Sequence, residues 1–289
     1  MSRLEEALRR AQAWPETSVP PVAMPVARDE YWPPDPETQT LVIDARRPDE
    51  DVPALLTKGD EKLVTFPKAE QSTVEQYRKL AATLHHAQAE RELKVVMVSS
   101  AVSGDGKTLT AVNLALTLSE SYRRRVLLID ADLRRPSVHT VFELKNEAGL
   151  TDSLTAATER RLPVIQATSN LSLLLAGHPD SDPMSGLTSG RMQRLIAEAA
   201  ASFDWVIIDT PPLVLLPDAN LLAAMVDAAI LVIGAGKTPY KLITRAIEAV
   251  GRSRILGVVL NRVDRTYVAG GYGYKYGYNY FTPRSQRNE

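Results

Sequence analysis

The sequence predicts an α/β fold, a mostly parallel central sheet flanked by helices on both faces, and three observations predict it. Six short apolar runs alternate with helix-like stretches. Each run is apolar along its whole length rather than at every second residue. A glycine-rich turn joins the first run to the helix behind it, and aspartates close two of the others. Strands that are apolar on both sides need cover on both sides, and helices linking parallel strands provide it.

The elements follow in order. Residues 4–14 space Leu4, Ala7, Leu8, Ala11 and Trp14 along one helical face, and Pro15 ends the pattern. Ten of the 19 prolines fall in the first 67 residues, so 15–60 read as a mostly extended, weakly ordered arm with "LVI" (41–43) as a possible strand. At "STVEQYRKLAATLHHAQ" (72–88) a helix is expected, with Ser72 as its cap and Glu75 three residues on. Strands are then expected over 94–100, 125–130, 171–177, 205–209, 228–234 and 255–261. Helices are expected over 107–121, 188–202, 219–226 and 239–251. The chain thus divides into an N-terminal helix and proline-rich arm (1–71), an α/β domain (72–266) and a tyrosine- and glycine-rich flexible tail (267–289).

Bulk properties exclude several functions. The 289 residues carry 34 basic and 35 acidic side chains for a net charge of −1, without the basic footprint of a nucleic-acid binder. The short clusters "RRR" (123–125) and "RR" (134–135) read as solvated surface. There is no cysteine, hence no disulfide and no thiolate metal site, which fits a reducing compartment. His85, His86, His139 and His178 lack metal-ligand spacing and read as structural. The charged N-terminus is unlike a signal peptide. The most apolar stretch, 213–236, is interrupted by Pro217, Asp218 and Asp227 and makes a poor bilayer span. A soluble, cytoplasmic chain is the expectation.

The chemistry concentrates in three places. "AVSGDGKT" (101–108) meets the P-loop spacing G-x-x-x-x-G-K-[ST], with Ala101 at the first glycine's position. Gly104 and Gly106 let backbone N–H groups wrap a phosphate, Lys107 reaches the outer phosphates, and Thr108 offers a hydroxyl to Mg²⁺. Ser103, Gly104, Asp105, Gly106, Lys107, Thr108 and Leu109 are the expected residues for binding ATP or GTP. "LLIDADLRRP" (127–136) puts Asp130 and Asp132 at the end of the next strand, and "WVIIDTPP" (205–212) puts Asp209 at the end of another. Ligands of open α/β sheets bind beyond the carboxyl ends of the strands, where such carboxylates can hold a metal. A strand-closing aspartate is often a mere turn residue; three behind a P-loop indicate a P-loop NTPase.

Together "AVSGDGKT", "LLIDADLRRP" and "VIIDTPP" resemble the Walker A, A′ and B motifs of the bacterial tyrosine kinases of exopolysaccharide and capsule synthesis. The likeness continues through "GLTDSL" (149–154), "LLLAG", "DPMSGLTSGRM" and "GVVLNRV" (257–263), and covers roughly residues 72–280. Partitioning and Min-type ATPases share the fold but carry a lysine at the second P-loop position, where this chain has Val102. The resemblance implies that Lys107 holds the phosphates of ATP and that Thr108, Asp130 and Asp209 organise Mg²⁺. It implies Asp130 as catalytic carboxylate with Asp132 in support. Asn261 either reads the adenine edge or caps a strand-end turn.

Tyr267, Tyr272, Tyr274, Tyr276, Tyr278 and Tyr280 lie in the tail with glycine at 270, 271, 273 and 277. Composition alone reads as low-complexity sequence. Beside a kinase-like site they are expected phosphoacceptors, used in trans; each phosphate would add nearly two negative charges, and the repulsion would release the tail from a neighbour's site. Glu75 and Arg78 match two positions of the family's E-x-x-R-x-x-R oligomerisation segment; the third is Ala81, so a ring and a plain helix-surface charge pair are both open. The resemblance further implies a transmembrane polysaccharide chain-length regulator that activates the chain at the inner face of the membrane, and a cognate tyrosine phosphatase. Two functional readings stand: a tyrosine autokinase, and an ATP-switched scaffold of the polysaccharide machinery without kinase activity.

Overall fold

The apolar runs fold into strands buried along their entire length: β2 (Val95–Ser100), β3 (Val126–Asp130), β5 (Leu171–Leu174), β6 (Trp205–Asp209) and β7 (Ala228–Gly234). The structure, a computed structural model, describes residues 42–46, 63–155, 161–179, 182–215 and 218–263. Three further strands complete the sheet: β1 (Val42–Arg46), β4 (Arg161–Gln166) and β8 (Ile255–Asn261). Their order is β1-β4-β5-β3-β6-β2-β7-β8, and every pairing is parallel except β4 with β5. The expected helix at 4–14, most of the arm, and the tail tyrosines lie outside the described residues.

Helices cover the two faces as the burial requires. On one side α1 (Gln71–Arg91), α2 (Lys107–Glu120) and α3 (Val138–Val141) pack Leu84, Leu114, Leu118 and Phe142 against Val96, Val98, Leu128 and Ile207. On the other, α4 (Leu150–Thr155), α5 (Pro183–Leu187), α6 (Gly190–Ser202), α7 (Asp218–Ala223) and α8 (Tyr240–Val250) pack Leu150, Leu187, Leu195, Leu222 and Val250 against Val95, Met97, Ile129 and Ile208. Successive residues of β2 alternate between the two clusters, which is why its sequence shows no polar alternation.

Several expectations need correction. Ser72 does not cap α1: the cap is the extended Glu70, whose carbonyl accepts from Thr73 and Val74, and Ser72 sits in the first turn. The possible strand at 41–43, by contrast, is present: 42–46 pairs with 161–165 in the sheet. Leu63 is already fully buried, ahead of the expected start of the domain at residue 72. β4 was hidden in the sequence by Pro163, which lacks a ladder donor and argues against a strand inside a sheet.

The acidic interruptions of the 213–236 stretch are structural partners. Asp227 accepts hydrogen bonds from the backbone N–H groups of Lys94 (2.9 Å) and Val95 (2.8 Å), pinning the start of β2. Asp218, 1% exposed, pairs with Arg134 at 2.7 Å, so the "RR" pair is not simply solvated. Among the described residues no helix is long and apolar enough to cross a membrane.

Replacing Asp227 with alanine removes the acceptor of the Lys94 and Val95 N–H groups. The variant Asp227→Ala is expected to lose about 1–3 kcal/mol of stability. Urea denaturation monitored by tryptophan fluorescence measures it; an unchanged midpoint would show that water replaces the carboxylate without cost.

Candidate active site

Sheet order brings the three motifs together. β3, β6 and β2 are neighbours, and their register sets Asp130 opposite Asp209 and Asp209 opposite Val98. The turn after β2 therefore opens beside both aspartates at the carboxyl edge. In that turn Gly104 and Gly106 adopt φ of 86° and 95°, values that L side chains rarely adopt. Gly106 caps α2, whose first residue is Lys107, so a 14-residue helix points its unpaired N–H groups into the cradle.

The Lys107 ammonium lies 2.9 Å from the Asp132 carboxylate and 3.4 Å from that of Asp209. The Thr108 hydroxyl donates to Asp209 Oδ2 at 2.6 Å and is 2.9 Å from the Ser137 hydroxyl. Asp130 is fully buried. Its Oδ2 accepts from the backbone N–H groups of Ser137 and Val138, both at 3.0 Å, and its Oδ1 from that of Asp132 at 3.2 Å. Thus Asp130 shapes the A′ turn and the start of α3. An ionised carboxylate has about four acceptor positions, and these bonds leave one.

Burial is the largest single influence on each of the three charged groups. It pushes the Asp130 carboxyl up to about 7, with the Asp209 charge adding to the effect and the N–H groups of Val138 and Ser137 and the Lys107 charge opposing it. Asp209 is likewise raised, first by burial, against the pull of Lys107 and the Thr108 hydroxyl. For Lys107 burial works against the charge, but Asp209 and Asp132 outweigh it and raise the ammonium above its usual range.

The expected site residues divide into groups. Lys107, Thr108, Asp130, Asp132 and Asp209 converge. Ser103 and Gly104 form the exposed lip of the turn, whereas Leu109 packs half-buried against the core. Asn261 does not stand alone at a strand end: its side-chain N–H donates to the Asp105 carbonyl at 2.8 Å. Glu75 and Arg78 pair with each other on α1. Ser137, beside Thr108, was not anticipated; its only signal was a place just past the A′ motif. Thr238, which donates to Asp105 Oδ1 at 2.7 Å, gave no signal either. Of the histidines, His178 pairs with Asp152, and the His85 ring lies tilted beside that of Tyr122.

The donor set fits a divalent metal. Thr108 and Asp209 offer two hard oxygens side by side, and the acidic groups form no all-protein cage among the described residues. Mg²⁺ takes one or two carboxylates and completes its shell with phosphate and water.

Comparison with known proteins agrees with this geometry. Residues 96–269 match the model of the CobQ/CobB/MinD/ParA nucleotide binding domain. The chain is 38% identical over 218 residues to the tyrosine-protein kinase YwqD of Bacillus subtilis, spanning 73% of this chain and 90% of that protein. It is 34% identical over 196 residues to the tyrosine-protein kinase Etk of Escherichia coli, spanning 66% of this chain and 27% of Etk. The solved kinase domain of Etk superposes with a TM-score of 0.64 at 28% identity, over 81% of this chain and 95% of that domain.

The raised carboxyls set a pH dependence. Asp130 and Asp209 hold protons more tightly when folded than at their ordinary value of 3.8. Folding therefore takes up protons between about pH 4 and 7, and the stability gained is present at low pH and lost as pH rises. The melting temperature is expected to fall from pH 5 to pH 8, less steeply in Asp130→Asn. Thermal scans of both proteins check this; equal slopes would contradict it.

Proposed function

The chain belongs to the tyrosine-protein kinases built on the CobQ/CobB/MinD/ParA nucleotide binding domain, and we propose that its acceptors are the tyrosines of residues 267–280. It is a protein-tyrosine kinase that transfers a phosphoryl group from a nucleotide. The observation that carries the finer reading is the Lys107–Asp132–Asp209 cluster with Asp130 buried beside it.

The residues take the following parts. The P-loop backbone and Lys107 bind and orient the phosphates of ATP, an anion at a helix N-terminus facing a single ammonium. Thr108 and Asp209 would hold Mg²⁺, which when bound neutralises phosphate charge. Asp130 keeps one acceptor position and titrates at about 7, so near neutral pH it can accept the phenolic proton of an incoming tyrosine. Asp132 keeps Lys107 charged and directed into the site. Most of the rate gain of such a site comes from positioning and charge neutralisation.

The further parts of the proposal come from the family resemblance. Phosphorylation of several tail tyrosines would pile charge on a short segment and expel it from a neighbouring copy's site. Glu75 and Arg78 would join copies by exchanging their within-helix pair for one across an interface. Partners would be a transmembrane polysaccharide chain-length regulator, which recruits the chain to the inner membrane face, and a tyrosine phosphatase. The process regulated would be exopolysaccharide or capsule production. Relatives named as kinases favour this over an ATP-switched scaffold.

The test is the intact mass of the protein from its own host, before and after phosphatase. A ladder of phosphates mapping to 267–280, absent in Lys107→Ala, is expected; in Asp130→Asn the transfer rate should fall by about 10²–10⁴-fold. Undiminished phosphorylation in Lys107→Ala would refute the site. One unmodified mass together with Mg·ATP binding would restore the scaffold.

A further inference from the structure

Asp105 is the anomaly of the P-loop. Ser103 and Gly104 are exposed beside it, yet the residue is 1% exposed, and its Oδ2 has no hydrogen-bond partner among the described residues. Burying a carboxylate in a surface turn is costly unless it is paired. Its Oδ1 accepts from the Thr238 hydroxyl at 2.7 Å, and that hydroxyl accepts in turn from the backbone N–H of Gly234 at 3.2 Å. The Asp105 carbonyl accepts from the Asn261 amide at 2.8 Å, while the Ala235 N–H donates to the Asn261 carbonyl at 2.8 Å. The contacts close a ring from the P-loop through the β7–α8 turn and the end of β8, back to the P-loop.

We infer that this ring is a brace that sets the P-loop backbone for ATP, with Thr238 as a positioning residue for nucleotide binding. The inference rests on the kinase reading of the same site. Two glycines make room for the brace. A Cβ on Gly234 would come within 2.8 Å of Asp105 Oδ1, and one on Gly106 would overlap the Asn261 amide. Gly106 is therefore required by its neighbour as well as by its φ. Because a trans peptide points its N–H opposite to its C=O, holding the Asp105 carbonyl on Asn261 turns the Gly106 N–H away from β8. Thr238 adds a second hold through the side chain. It needs a hydroxyl, since it donates to one partner and accepts from another. The Asn261 amide is occupied at both ends, its oxygen accepting from the Arg262 N–H at 2.9 Å. Each end of the amide makes one bond of its two, and the bond to Asp105 is the one that braces the loop.

A loop that is only partly held in its binding shape lowers the apparent affinity by the fraction populated. In the full-length protein, Thr238→Val is expected to raise the KM for ATP and the Kd for Mg·ATP about tenfold, with kcat at saturating ATP changed less than about threefold. Thr238→Ser restores both constants. If Thr238→Val does not fold, Thr238→Ala is read in its place. A wild-type KM in the folded variant overturns the brace. So does a parallel loss of kcat and affinity that Thr238→Ser fails to rescue, because that marks general damage. Wild-type protein that binds no Mg·ATP would bring down the kinase reading, and the brace with it, an outcome distinct from the other two.

Discussion

Two buried carboxylates side by side are the constraint on which this structure turns. Asp130 and Asp209 stand in register at the ends of β3 and β6, both fully buried. Like charges at such a place repel, and burial penalises each. The surroundings are organised to answer that cost. Backbone donors from 132, 137 and 138 converge on Asp130, so the A′ turn and the start of α3 wrap it. The first two residues of α2 converge on Asp209, Thr108 through its hydroxyl and Lys107 through its charge. The same contacts that make the charges tolerable thus place the phosphate-binding helix. A phosphate taken up by Lys107 must compete with Asp132 at 2.9 Å, so binding and rearrangement of the carboxylates are linked.

Sheet order explains why chemistry sits where it does. β3, β6 and β2 occupy the centre, flanked on both sides and covered on both faces, where a carboxyl edge is held most rigidly. The irregular part, with β4 antiparallel to β5 and β1 beside it, lies at the far edge.

Much of this was legible in the sequence, because fully apolar runs and a phosphate-loop spacing each have one economical structural explanation. Three strands, 205–209, 228–234 and 255–261, match their expected limits. The parallel sheet and the convergence of Lys107, Asp130 and Asp209 were also foreseeable, since strand-end aspartates in an α/β sheet share one edge. What was not legible depended on contacts across the chain. Asp227 and Asp218 looked like interruptions of an apolar stretch, but the partners that justify them, at 94–95 and at Arg134, are more than 80 residues away. Ser72 offered a good cap in isolation, and the helix began earlier because Glu70 supplies the carbonyl that starts it. Pro163 concealed a strand whose place in the sheet is fixed by its neighbours rather than by its own pattern.

The same distinction separates the two layers of the site. The groups that meet phosphate and metal lie in local motifs on β2, β3 and β6, which is why spacing alone finds them. The groups inferred to brace the cradle lie 133 and 156 residues beyond Asp105, Thr238 in the turn after β7 and Asn261 at the end of β8. A P-loop is mostly glycine and backbone, and its geometry has few side chains with which to hold itself. Support from outside the loop is then a physical requirement rather than an embellishment. Here it comes from the last strand of the sheet, whose final residue, Asn261, precedes the tyrosine-bearing segment by only a few positions. The residues that shape the cradle and the residues that would receive its phosphate are therefore joined through one strand end. That arrangement gives an otherwise ordinary edge strand a part in the site.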